Sequence, residues 1–142
     1  MPFRLIYSSE AAPDLDMADL EQMLVESRIR NKARGITGVL IFVEGVFLQI
    51  LEGEKDSVVD LMHTIERDPR HRGIKIFHER ETDERAFASW SMAYLSPSVE
   101  AVSRWAQLEG ATTIGGVLYS LESEPGRLPG FVIHILKAIA ES

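Results

Sequence analysis

Between Val39 and Leu51 the chain carries two β-rich apolar runs, Val39 to Val43 and Val46 to Leu51, joined by Glu44-Gly45, a two-residue link that suits a tight hairpin turn. In the second run Val46, Leu48 and Ile50 share one face while Phe47, Gln49 and Leu51 share the other. A strand apolar on both faces is predicted to lie centrally in a sheet covered on both sides. Upstream, Phe3 to Ser8 reads as a strand, and Asp14-Leu15-Asp16 offers N-caps for a helix in which Leu20, Met23, Leu24 and Ser27 recur at helical spacing. That helix runs to Asn31 near its end, with Gly35 as the stop. Downstream, Val58, Leu61, Met62 and Ile65 form the core-facing stripe of a second helix over Glu54 to Asp68, ended by Pro69. Ile74 to Arg80 is predicted as a fourth strand and the aromatic run Trp90 to Leu95 as a fifth.

This order, βαββαβ plus one strand, is that of an α+β ferredoxin-like sheet with two helices on one face and its first and third strands adjacent. Tyr7 and Gln49 then become neighbours, both pointing toward the helices, in a gap that a planar ligand could fill. After Leu95 the composition shifts. Val99, Val102, Trp105 and Ala106 suggest a short helix, and Phe131, Ile135, Leu136 and Ile139 another, preceded by the breakers Pro125, Gly126, Pro129 and Gly130. Thr112 to Leu121 fits strand or helix equally. Residues 1–95 thus read as a core and residues 96–142 as a helical cap over the sheet's other face or an output extension.

At 142 residues, 45% hydrophobic and 26% charged, the chain has the make-up of one folded domain. Its apolar runs are strand-length, and neither a basic n-region nor an apolar h-region follows Met1, so a cytoplasmic location away from membranes is expected. A net charge of −7 argues against nucleic acid as a partner, because such binding draws its affinity from Lys and Arg. No cysteine is present, which removes disulfides and thiolate chemistry. The four histidines, His63, His71, His78 and His134, lack metal-ligand spacing, and no Ser-His-Asp order or phosphate-binding glycine loop is evident. Nothing in the chain points to catalysis.

Gln49 is the residue that the pattern does not absorb. A buried primary amide both donates and accepts hydrogen bonds, so it belongs where something polar meets it. Taken singly, Tyr7 reads as core with its hydroxyl in water, Asn31 as a helix C-terminal residue, Trp90 and Met92 as packing, and Arg67 to Arg72 as a solvated helix end. It is their co-occurrence that matters.

Tyr7 on the first strand, Asn31 closing the first helix, Gln49 on the third strand, and Trp90 and Met92 on the fifth together resemble the BLUF family, the blue-light sensors that use flavin adenine dinucleotide (FAD). The surrounding Arg34-Gly35-Ile36-Thr37-Gly38 and Gln49-Ile50-Leu51-Glu52-Gly53 resemble that family's sequence as well. The resemblance covers roughly residues 1–95 and is that of a short, single-domain member. It implies a flavin held noncovalently between the two helices, with Asn31 at the polar edge of the ring and Gln49 bridging Tyr7 and the ring. It further implies that the excited flavin takes an electron from Tyr7 while the phenolic proton leaves through the Gln49 amide. After recombination a rotated or tautomerised Gln49 persists, and the flavin spectrum shifts red. Trp90 and Met92 are the implied relays, either of them able to face the flavin in darkness. Ser27 and Ile65 are implied to flank the ring, and Arg30, Asp68, Arg70 and His71 to meet the ribityl chain and phosphates. Family members often carry a different polar residue at the position of Arg30.

The implied output is a signal to a separate effector protein or a change in self-assembly as a homo-oligomer. Two other readings are weighed against it. A small ferredoxin-like hydrolase of acylphosphatase type needs an arginine-containing anion loop after the first strand, which Ser8-Ser9-Glu10-Ala11-Ala12 does not supply. An RNA-recognition-like ligand-binding module needs exposed strand aromatics and a basic surface.

Overall fold

A computed structural model describes all of residues 1–142. The elements are β1 (Phe3–Ala11), α1 (Met17–Arg34), β2 (Thr37–Val43), β3 (Val46–Gly53), α2 (Lys55–Glu66), β4 (His71–Glu81), β5 (Ala93–Leu95), α3 (Val99–Trp105), α4 (Ile114–Ser123) and α5 (Leu128–Glu141), with a short 3-10 turn at Pro125–Arg127. The five strands form one sheet in the order β4-β1-β3-β2-β5. All neighbours are antiparallel except β2 and β5, which are parallel. This is the expected ferredoxin-like arrangement with an added edge strand.

Local chemistry sets the element ends. Asp16 caps α1 by accepting from the Asp19 amide at 2.8 Å while the Asp19 carboxylate accepts from the Asp16 amide at 3.1 Å, a reciprocal capping box. Gly35 ends the helix in the left-handed region, at φ 67°. The hairpin between β2 and β3 turns on Glu44 and Gly45, with φ of 48° and 75°, the two positive values that a twisted two-residue hairpin needs. Gly38 is required for space, since a Cβ there would overlap the Ile50 carbonyl oxygen.

The sheet is covered on both faces. Leu5, Tyr7, Leu40, Phe47 and Leu51 face α1 and α2, packing on Leu20, Met23, Leu24, Val58, Leu61 and Ile65. Ile6, Val39, Ile41, Leu48 and Ile50 face the C-terminal helices, packing on Val102, Val117, Leu121, Phe131 and Ile135. The segment Thr112 to Leu121, which sequence left open, is helical, with Thr113 as N-cap accepting from the Gly116 amide at 3.0 Å. No helix is long and apolar enough to cross a membrane.

Several expected boundaries shift, the first strand running on to Ala11, the second starting at Thr37 and the third reaching Gly53. α2 ends at Glu66 rather than Asp68, and β4 begins at His71 rather than Ile74. The fifth strand is only Ala93–Leu95, so Trp90 and Met92 precede it rather than lie on it. The cause is competition for carbonyls. The Trp90 carbonyl still accepts from the β2 backbone at Gly38 N, 3.0 Å, but those of Ser91 and Met92 accept from Asn31 Nδ2 at 2.8 Å and Arg28 Nε at 3.0 Å, so side chains take the place of ladder partners at these two residues until Ala93.

Candidate functional site

Cross-strand register puts Tyr7 of β1 directly opposite Gln49 of β3, which is in turn opposite Leu40 of β2. Strand alternation aims Tyr7 and Gln49 at the helices, where Tyr7 is fully buried and Gln49 is 3% exposed. The Tyr7 hydroxyl donates to Gln49 Oε1, and Gln49 Nε2 points at Met92 Sδ, 3.6 Å away. Burial pushes the Tyr7 phenol far above its usual range, with Arg30 opposing and Asp68 reinforcing the shift, so the hydroxyl keeps its proton at neutral pH.

Above this pair lies a narrow cleft between the C-terminal half of α1 and the end of α2. Seven of the eleven residues singled out from sequence line it: Ser27, Arg30, Gln49, Ile65, Asp68, Arg70 and His71. Met23 and Leu40 complete the lining. Sequence reading assigned both only to packing, because an aliphatic wall of a site has the same signature as core. Asn31 is fully buried beside the cleft, and Tyr7 lies beneath it.

Arg70 holds Asp68 through four hydrogen bonds of 2.7–3.0 Å and reaches Glu26 at 3.2 Å. Burial raises the Asp68 carboxyl, but these bonds outweigh it and hold Asp68 below its ordinary range as an anion. Arg67 to Arg72 is therefore not simply a solvated helix end. Burial, reinforced by Arg34, lowers Arg30, whose Nη2 donates to Ser27 Oγ at 3.4 Å. Two buried polar atoms at this site lack a partner, Arg30 Nε and Asn31 Oδ1. His71 packs against the rings of Tyr7 and Phe47 and bonds Ser9 Oγ through Nδ1 at 2.8 Å. Burial brings it down from 6.5 to about 4, with Asp68 opposing, so at neutral pH it offers a hydrogen-bonding ring rather than a cation.

Trp90 and Met92 part company. Met92 is 2% exposed and belongs to the helix-side core beside Gln49, whereas Trp90 is half-buried against the core on the sheet's other face.

Sequence reading also missed Glu52. Fully buried, it accepts from Arg4 Nε at 3.0 Å and Nη2 at 2.8 Å, and from the amides of Ala86 at 2.9 Å and Phe87 at 2.8 Å. The signal was available, because Glu52 is a charge at the end of the same apolar run that made Gln49 conspicuous.

The Ser8 to Ala11 stretch is part of β1, with a shift of register against β4 between Ser8 and Glu10, so it forms no anion loop of the hydrolase kind.

Comparison with known proteins adds a family to this geometry. The BLUF family, described as sensors of blue-light using FAD, matches residues 3–93. The structure of BlsA in its photo-activated state superposes with a TM-score of 0.80 at 30% identity, covering 96% of this chain and 95% of that one. BlrB, a BLUF protein in its dark state, superposes at 0.77 with 28% identity and 96% coverage of both chains. The photoactivated adenylate cyclase subunit beta of Euglena longa is 32% identical over 94% of this chain, which spans only 15% of that relative's length. The residue pattern, the sheet with its helix-side cleft, and the match over residues 3–93 agree: the chain belongs to the BLUF family of blue-light sensors that use FAD.

Proposed function

We propose that this chain holds FAD noncovalently in the cleft between α1 and α2 and reports blue light by rearranging the hydrogen bonds of Gln49. The residues present fit such a group. Arg30 Nε and Asn31 Oδ1, a buried donor and a buried acceptor without partners, suit the alternating carbonyls and N–H of a flavin's polar edge or its ribityl hydroxyls. Met23, Leu40 and Ile65 supply apolar walls for a planar ring, and Ser27 and Arg70 further donors along the cleft. When bound, FAD supplies blue-light absorption and an excited state that accepts an electron.

The observation that carries the reading is the Tyr7–Gln49–Met92 chain of contacts inside a dry core. Tyr7 is the electron and proton donor, its phenol held neutral by burial and already bonded to the amide that takes its proton. Gln49 is the element with two states. In the resting arrangement its oxygen accepts from Tyr7 and its NH2 faces a thioether, a weak acceptor, so this side holds the amide loosely. A turned amide would present its oxygen to Met92, which has no donor to offer. Met92 then has reason to move, and the Trp90 indole N–H is the donor that could replace it. An amide that loses a partner in a dry site is worth about 1–3 kcal/mol, enough to bias a neighbouring short strand.

The sensor unit is residues 1–95, and the helices of residues 96–142 are its cap and output surface. Output goes to a separate effector or to self-assembly, with no catalysis in this chain. Cyclase activity belongs to the longer relatives named as such.

The test is the visible absorption spectrum of the purified, flavin-loaded protein in darkness and immediately after blue illumination. Flavin bands that shift slightly red and recover in darkness are expected. A protein that cannot be loaded with flavin, or whose bands do not respond to light, would overturn the reading.

A further inference from the structure

The segment between β4 and β5 is held at two points of opposite character. At one end the Ala86 and Phe87 amides donate to Glu52, a fully buried carboxylate on the strand that bears Gln49, itself clamped by Arg4. At the other, α1 grips consecutive carbonyls: Asn31 Nδ2 takes that of Ser91 at 2.8 Å and Arg28 Nε takes that of Met92 at 3.0 Å. Asn31 is fully buried, but Arg28 is exposed and this is the one side-chain hydrogen bond it makes. No carboxylate holds its guanidinium elsewhere. Water can therefore take over the Arg28 guanidinium when that bond opens, which is not true of the carboxylate of Glu52.

Met92 ties this latch to the site. Its side chain faces the Gln49 amide while its carbonyl is held by Arg28, so a displacement of the thioether pulls on the latch from inside. We propose that Arg28 is the releasable latch of the Met92 segment, closed in the resting state and open in the switched state, working against the fixed anchor at Glu52, and that it sets how long the switched state lasts. The inference rests on the photosensor reading above. A bond made in the resting state and partly remade on the way back speeds the return, so its loss slows recovery.

The experiment compares flavin-loaded wild type, Arg28→Ala and Arg28→Lys for dark recovery after a blue flash, for amide exchange of Ala93 to Leu95 in darkness, and for thermal midpoint. Arg28→Ala is expected to switch with a normal red shift, to recover about three- to tenfold more slowly, the kinetic share of one exposed charge-assisted hydrogen bond, and to exchange those amides faster. Its thermal midpoint should fall only by the small amount that one exposed hydrogen bond is worth. Arg28→Lys, which keeps a cationic donor, should recover most of the wild-type rate. Recovery in Arg28→Ala as fast as wild type or faster, or a slowing that Arg28→Lys does not rescue, would overturn the latch. A wild type that does not switch at all would instead overturn the photosensor reading, so the two failures are distinguishable.

Discussion

Replacing Glu52 should cost this fold more than any exposed charge, because its carboxylate is the only acceptor for several buried donors. The side chain is fully buried and takes hydrogen bonds from Arg4 Nε and Nη2 and from the amides of Ala86 and Phe87, all between 2.8 and 3.0 Å. Glu52→Leu strands two amides and a guanidinium whose side chain is 16% exposed. Each stranded amide is worth about 1–3 kcal/mol, and breaking a buried pair from one side about 3–5 kcal/mol. These overlap, since they concern the same carboxylate, so the expected loss is about 3–5 kcal/mol rather than their sum. Against a typical total of about 5–15 kcal/mol this is a large fraction. Arg4→Met should cost less, because Glu52 then keeps its two backbone donors and loses only its cation. Urea unfolding followed by far-ultraviolet circular dichroism gives both values. If Glu52→Leu loses under about 1 kcal/mol, or less than Arg4→Met, then the carboxylate is not the anchor of the segment that leads to Met92.

Tyr7→Phe should bind flavin and fold, yet show no light-induced red shift; a normal shift in difference spectra would remove the phenol from the mechanism. Gln49→Leu should likewise load flavin and lose switching, with stability changed by no more than about 1–3 kcal/mol as the Tyr7 hydroxyl loses its partner; retained photochemistry would exclude the amide. His71 binds a proton more weakly folded, at about 4, than its ordinary 6.5, so the unfolded chain takes up more protons between these values. Its contribution is full above the upper value and lost as pH falls toward the lower, about 3 kcal/mol at most; acid melts of wild type and His71→Gln should differ in slope there, and equal slopes would refute the assignment. Truncation after Leu95 uncovers Ile6, Val39, Ile41, Leu48 and Ile50 on the sheet face packed by the C-terminal helices. Aggregation is expected, measurable by light scattering, and a soluble, photoactive fragment would confine those helices to signalling.

Periodicity and punctuation in the sequence were enough for the element order up to Leu95, the two-sided core and the Glu44-Gly45 turn, because they arise from local geometry and from which faces must be dry, whereas the Thr112 to Leu121 stretch became a helix only on packing. The pairing of Tyr7 with Gln49 followed from topology alone, since adjacent first and third strands leave few registers that keep both apolar faces buried. Gln49 was legible as a site because an amide has no simple use among apolar neighbours. What tertiary structure decided lies wherever distant backbone and side chains compete for the same group. Ser91 and Met92 look like strand in sequence, but Asn31 and Arg28, some sixty positions away, take their carbonyls and delay β5 to Ala93. The separation of Met92 beside Gln49 from Trp90 on the opposite face follows from that same displacement, and the Glu52 anchor exists only because folding brings the Ala86 and Phe87 amides to a strand remote in sequence. Local propensity carries no information about such partners, since a hydrogen bond between segments this far apart is defined only once the sheet and helices have packed.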